Sequence, residues 1–206
     1  MTIKEEWKNS NIQVFWGEIA PCEHLVQFYE NDHIFLNTLE GFAGSGILAG
    51  ESIIIIATAK HIASLNKRLL GQGFNLTQLK AAGQYIPIEV NDVFKKILVN
   101  GWVDETMFNE FVIKLIDGAK HGGRTVRAFG ELVAVLWEQG NCGVTVQLEH
   151  LWHKLYHQLN FTLYCAYPKI GFTQSPSDSI DIICKSHSKI LDGQARPSTE
   201  IYYKSA

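Results

Sequence analysis

No cluster of lysine and arginine runs along this chain: its 18 basic residues are scattered among 21 acidic ones, and the net charge is −3. Binding a phosphate backbone needs a concentrated basic face, so direct contact with nucleic acid is not expected. Long apolar runs are also missing. Stretches such as IIIIA at 53–57 fall far short of the roughly 20 residues that cross a bilayer. The opening MTIKEEWKNS has neither the basic start nor the apolar centre of a secretion signal, so a cytoplasmic protein without membrane contact is expected. Four cysteines, Cys22, Cys142, Cys165 and Cys184, include no CxxC pair, which excludes the close-spaced zinc and redox motifs. Cys165 stands in an apolar run and reads as a core residue.

Catalytic signatures are as scarce. A nucleotide hydrolase would carry GxxxxGK[ST] between its first strand and first helix, where backbone amides cradle the phosphates and the lysine neutralises them. This chain has FYENDHIFL there, with two acids and no glycine. The glycines of GFAGSG at 41–46 fall at the end of a helical pattern and read as its termination. A GxSxG nucleophile elbow is missing too, since GSG at 44–46 is one residue short. The reading is therefore non-catalytic, with no cofactor.

What is present is an alternation of two periodicities. HLVQFYE at 24–30 is strand-like, and Asn31-Asp32 can cap a helix carrying Ile34, Phe35, Leu36, Leu39 and Phe42. SIIIIA at 52–57 has the pattern of a strand buried on both faces, as in a parallel sheet. Thr58 can cap the next helix, which ends at Gly71 and Gly73. A short helix at 76–82, a strand at 84–89, helices at 92–98 and 104–119, and a strand at 125–129 follow. Helices at 131–138 and 142–158 and a strand at 162–166 complete the repeat. Such alternation predicts an α/β three-layer sandwich around a mainly parallel sheet. Residues 179–191 read as a closing helix, although SIDIIC also has strand character, and 192–206 read as a tail that an interface could order through Ile201, Tyr202 and Tyr203.

In such sheets ligands gather at the C-terminal ends of the strands. There stand Tyr29, Glu30, Asn31 and Asp32; Thr58 and His61; Gly130 and Glu131; and Tyr167 and Pro168. Arg127, inside its strand, admits two readings: a brace paired with Glu131 or Glu149, or, with Glu131, a polar anchor in an apolar pocket. Of the two, Glu131 is expected to face the cleft. His150, His153 and His157 share one helix face, a spacing that metal ligation could use, but a partly exposed polar face accounts for it and no metal is expected.

The segments HLVQFYEND at 24–32, RAFGELVAVLW at 127–137, LEHLWHKL at 148–155 and LYCAYP at 163–168 together resemble the MEDS family, a sensory domain named for methanogens, methylotrophs and the regulator of dichloromethane dehalogenation. CKSHSKIL at 184–191 looks like that family's C-terminal helix. The resemblance implies a sensory domain over 23–191, between an N-terminal extension (1–22) and the tail (192–206). It implies a cytoplasmic signalling sensor of hydrocarbon derivatives, with His24, Phe28, Tyr29, Arg127, Gly130, Glu131, Trp137 and Tyr167 at family motif positions. With Thr58, and without Gly130, these make up the expected ligand-binding set. No kinase or helix-turn-helix segment is visible, so output is expected through a histidine kinase, a transcription regulator or a homodimer. Residues 50–90 are more distantly similar to RecA- and KaiC-type ATPases, with the phosphate loop absent and Thr58-Ala59 where those enzymes carry catalytic glutamates. A degenerate nucleotide-binding protein and a protein-interaction module are the alternative readings.

Overall fold

A computed structural model describes residues 22–169, 183, 185, 187–193 and 201–203. The expected N-terminal extension, Cys22 apart, lies outside them.

Six parallel strands, β1 (His24–Tyr29), β2 (Ser52–Ala57), β3 (Tyr85–Glu89), β6 (Val126–Gly130), β7 (Thr162–Pro168) and β8 (Lys189–Gly193), form one sheet in the order β3-β2-β6-β7-β1-β8. An antiparallel strand, β9 (Ile201–Tyr203), closes its far edge. A short antiparallel pair, β4 (Leu98–Val99) and β5 (Trp102–Val103), stands apart around the turn at Asn100-Gly101. The helices are α1 (Asp32–Leu48), α2 (Ala59–Gly71), α3 (Leu76–Ala81), α4 (Val90–Ile97), α5 (Glu105–Ala119), α6 (Leu132–Glu138) and α7 (Cys142–Leu159).

The isoleucine run explains the layering. Successive side chains of a strand point to opposite faces, and all six residues of β2 are buried. Ile53 and Ile55 pack with α1, α2 and α3, whereas Ile54 and Ile56 pack with α4, α5, α6 and α7. On β6 the same alternation sends Val126 and Ala128 towards the α4–α7 layer and Phe129 towards α1. Pro87 lacks a ladder donor and is tolerated because β3 is an edge strand.

Two expectations change at the chain's C-terminal part. Residues 189–193 are strand, not the end of a closing helix; Ile183 and Lys185 are helical, and much of 179–188 lies outside the described residues. Ile201–Tyr203, read as tail, pair with β8 of the same chain. Both strands are completed by hydrogen bonds from distant segments, which local periodicity does not register.

The glycines at 44–46 also differ from expectation. They do not end α1, which runs on to Leu48. Gly46 is there because α1 lies hard against the sheet: a Cβ would sit 2.5 Å from Ile53 Cδ1 and 3.0 Å from Arg127 Cδ. Arg127 crosses this contact on the α1 side. Its guanidinium pairs with Glu51 and donates to Ser45 Oγ at 3.1 Å, lying 5.8 Å from the Phe42 ring centre. Its carboxylate partner is thus Glu51 rather than Glu131 or Glu149. Burial pulls the guanidinium below its usual range, and Glu51 opposes the shift.

The contact is testable at both of its members. Gly46→Ala is expected to destabilise by about 1–3 kcal/mol through overpacking, whereas Gly118→Ala, with nothing within 4 Å of the added methyl, gains about 0.5–1 kcal/mol from helix propensity; urea denaturation compares them. Arg127→Met strands Glu51, whose side chain keeps 20% exposure, and should cost about 2–3 kcal/mol, less than the 3–5 of a fully buried pair. Thermal melting measures it.

Candidate functional site

Two groups of polar side chains stand inside this apolar frame. The first occupies the C-terminal edge of the sheet. The Glu131 amide donates to Ile56 O at 2.8 Å, which extends the β6–β2 ladder one residue beyond the strand and anchors Glu131 over the end of β2. Its carboxylate accepts the Thr58 amide at 2.7 Å and meets His61 Nδ1 at 2.5 Å. His61 lies there because Thr58 caps α2, with Thr58 Oγ1 accepting the His61 amide. Asp32, in the first turn of α1, places Oδ2 3.5 Å from His61 Nε2 and 2.5 Å from Lys60 Nζ. Glu131 and His61 are buried, while Lys60 is exposed.

Electrostatics follow from that arrangement. Burial alone would lower the His61 pKa, but the Glu131 hydrogen bond and the Glu131 and Asp32 charges outweigh it and leave the imidazole above its usual value. The Lys60 hydrogen bond holds Asp32 below the ordinary carboxylate range. Burial, then Glu131, raises Glu138 at the exposed end of α6. Burial and the same carboxylate push the Tyr29 hydroxyl up, so it stays protonated.

The edge is ill suited to phosphate. Only Glu30 and Asn31 separate β1 from α1, and Asn31 Oδ1 accepts the Ile34 amide, so the helix start is capped from within. The neighbouring acids Asp32 and Glu131 further disfavour an anion.

The second group is interior, on the α4–α7 face. His24 and Cys165 come from β1 and β7, Glu149 from α7, and His187 from the stretch entering β8. All four are buried. His187 Nδ1 donates to Ile183 O at 2.6 Å, which turns Nε2 towards Glu149 Oε2 at 3.5 Å. His24 Nε2 lies 3.6 Å from Cys165 Sγ and 3.8 Å from Glu149 Oε2, and the two imidazole rings are 3.9 Å apart. The Tyr167 hydroxyl donates to Glu149 Oε1. Burial raises the Glu149 carboxyl to about 8, with the Tyr167 bond opposing, and lowers His187 to about 4. Burial also pushes the Cys165 thiol up.

The structure distributes the sequence-predicted residues over four places. Tyr29, Thr58 and Glu131 gather at the strand ends. Phe28 and Tyr167, register partners on β1 and β7, stack on each other with centres 6.1 Å apart, and the Trp137 ring meets Tyr167 edge-on. His24 belongs to the interior group, five residues before Tyr29 and so roughly 16 Å along the strand. Arg127 stands apart beneath α1. His153 and His157 contact one another's rings, but His150 and His157 are exposed.

Sequence reasoning places Asp32 and His61 at strand ends but leaves them out of the expected ligand-binding set. The Thr58 cap three residues before His61 is the available signal. The same reasoning takes Cys165 for core alone and His187 for part of a helix; a His24–Cys165 approach depends on the pairing of β1 with β7, which no local pattern reveals.

Among the described residues, no helix is long and apolar enough to cross a membrane. Similar solved structures include a KaiC-like protein of the hyperthermophilic archaeon Pyrococcus horikoshii, at 10% identity and a TM-score of 0.58 over 90% of this chain and 77% of that one. A second P. horikoshii protein, known from a structural study, aligns at 10% identity and a TM-score of 0.60 over 96% of this chain and 93% of its own. These likenesses establish a KaiC-like, RecA-type fold. No curated protein matches the chain in sequence. The family model of the methanogen/methylotroph, DcmR sensory domain matches residues 23–188, and the chain belongs to that family, MEDS.

Proposed function

We propose that the chain is a non-catalytic sensor that takes a small, weakly polar organic molecule, of the hydrocarbon-derivative class, at the C-terminal edge of its sheet. The observation that carries this is the buried Glu131–His61 pair at the strand ends, set where an α/β sheet receives ligands but without a phosphate cradle. Membership in a sensory family supports the reading. In it, Glu131 and His61 hold the polar end of the ligand, with Tyr29 and Thr58 beside them. Phe28, Trp137 and Tyr167 form an aromatic group on the opposite, α4–α7 face of the sheet, where Trp137 and Tyr167 are buried.

Signalling requires that the ligand distinguish two conformations. Helices α1, α2 and α6 all start at this edge, so a ligand that separates Glu131 from His61 loosens the contact among them. Output then passes to a histidine kinase or transcription regulator, or through a homodimer.

Native mass spectrometry of freshly purified protein tests the reading directly. A co-purified organic adduct of small mass is expected, whereas micromolar binding of magnesium ATP in calorimetry would overturn the sensor account in favour of a nucleotide-binding protein.

The pair also carries a pH signature. The His61 pKa is raised in the fold, so its stabilising contribution is fully present below its unfolded value of 6.5 and is lost as pH rises through the folded value. Glu131, Asp32, Lys60 and Glu138 are the charged groups that act on or around it. Glu131→Gln keeps an acceptor for the Thr58 amide but removes the charge. Its destabilisation should therefore be larger near pH 6 than well above the folded pKa, by about 1.4 kcal/mol for each tenfold by which Glu131 tightens the hold of His61 on its proton. Urea denaturation across pH measures the difference.

A further inference from the structure

The interior group has a feature that neither the apolar core nor the strand-end site uses. Four side chains of metal-binding type, two imidazoles, a carboxylate and a thiol, bring one donor atom each within 4.8 Å of the others. Three of the separations, His187 Nε2 to Glu149 Oε2 at 3.5 Å, His24 Nε2 to Cys165 Sγ at 3.6 Å and His24 Nε2 to Glu149 Oε2 at 3.8 Å, are close to the edges of a coordination tetrahedron. Zinc–nitrogen bonds of about 2.0–2.1 Å and zinc–sulfur bonds of about 2.3 Å at the tetrahedral angle put neighbouring donors about 3.3–3.6 Å apart.

Hydrogen bonding around the group has the same sense. The Ile183 carbonyl holds the proton of His187 on Nδ1, so that Nε2 presents a lone pair to the centre. Tyr167 donates to Glu149 Oε1, leaving Oε2 to face inwards. Glu149 Oε2 and His187 Nε2 make no hydrogen bond among the described residues, although both are buried. A buried polar atom without such a bond destabilises the fold, and here two such atoms converge on one point. A divalent cation at that point would satisfy both and would let the carboxylate and the thiolate ionise in an apolar interior.

We propose that His24, Glu149, Cys165 and His187 form a structural site for a divalent transition metal of borderline softness, zinc being the natural occupant. The donor set of two nitrogens, one oxygen and one sulfur suits zinc rather than calcium or magnesium, which prefer all-oxygen shells. The site is closed, since all four side chains are buried and supply four ligands, which leaves no position for a reacting water. The metal would fasten the stretch carrying His187, and with it β8, to β1, β7 and α7. It would act as a clasp on the fold, separate from the strand-end edge.

The full chain, purified without a histidine tag and stripped by a chelator, is titrated with zinc and with cobalt(II) and assayed by elemental mass spectrometry and absorption. One tightly held metal per chain, a cobalt–thiolate charge-transfer band, and a rise in melting temperature on reloading are expected. Cys165→Ser, which is nearly isosteric, should abolish the charge-transfer band and weaken zinc binding on the order of 100-fold, at least as much as the loss of a supporting outer-shell group. His187→Asn is a second variant, with circular dichroism as a check on folding. The proposal is overturned if the wild-type chain takes up no stoichiometric metal, or if both folded variants bind it as tightly as the wild type.

Discussion

A parallel sheet covered on both faces dictates where polarity can exist in this protein. Every interior strand position points into one apolar layer or the other, so a charged side chain that enters either layer needs a partner there. The protein's polar groups cluster accordingly. Arg127, pointing to the α1 side, is met by Glu51 and Ser45. Glu131, just beyond the same strand, is met by His61 and the Thr58 amide. Glu149, on the opposite face, is met by Tyr167 and faces two imidazoles. Each arrangement answers the same desolvation penalty with different chemistry, and the differences separate brace, candidate ligand edge and candidate metal clasp.

The KaiC-like fold sharpens the meaning of the strand-end edge. A helix start can receive a phosphate, yet here only two residues connect β1 to α1 and the Asn31 side chain occupies the Ile34 amide. The acids Asp32 and Glu131 stand beside it. The acids at this edge therefore disfavour an anion there.

Much of the fold was legible because its elements are marked locally. Asn31 and Thr58 cap the helices they were expected to cap, and the isoleucine run identified a strand buried on both faces. The misreadings share one cause. Gly44 and Gly46 looked like a helix end, but Gly46 serves the close approach of α1 to Ile53 and Arg127. Residues 189–193 and 201–203 become strands because β1 and β8 offer them ladders. In each case a contact made far away in sequence overrode a local signal.

The site divides in the same way. Sequence alone determined the layered α/β class, the absence of a phosphate loop, the family resemblance and the presence of Glu131 at a strand end, because periodicity, motif and element boundary are local properties of the chain. Tertiary structure decided that Arg127 pairs with Glu51 and not with Glu131, and that Cys165 and His187 join His24 around Glu149. These facts depend on which strands lie side by side and which face each residue turns to. Strand order is set by the packing of the whole sheet, and no short stretch of sequence contains it.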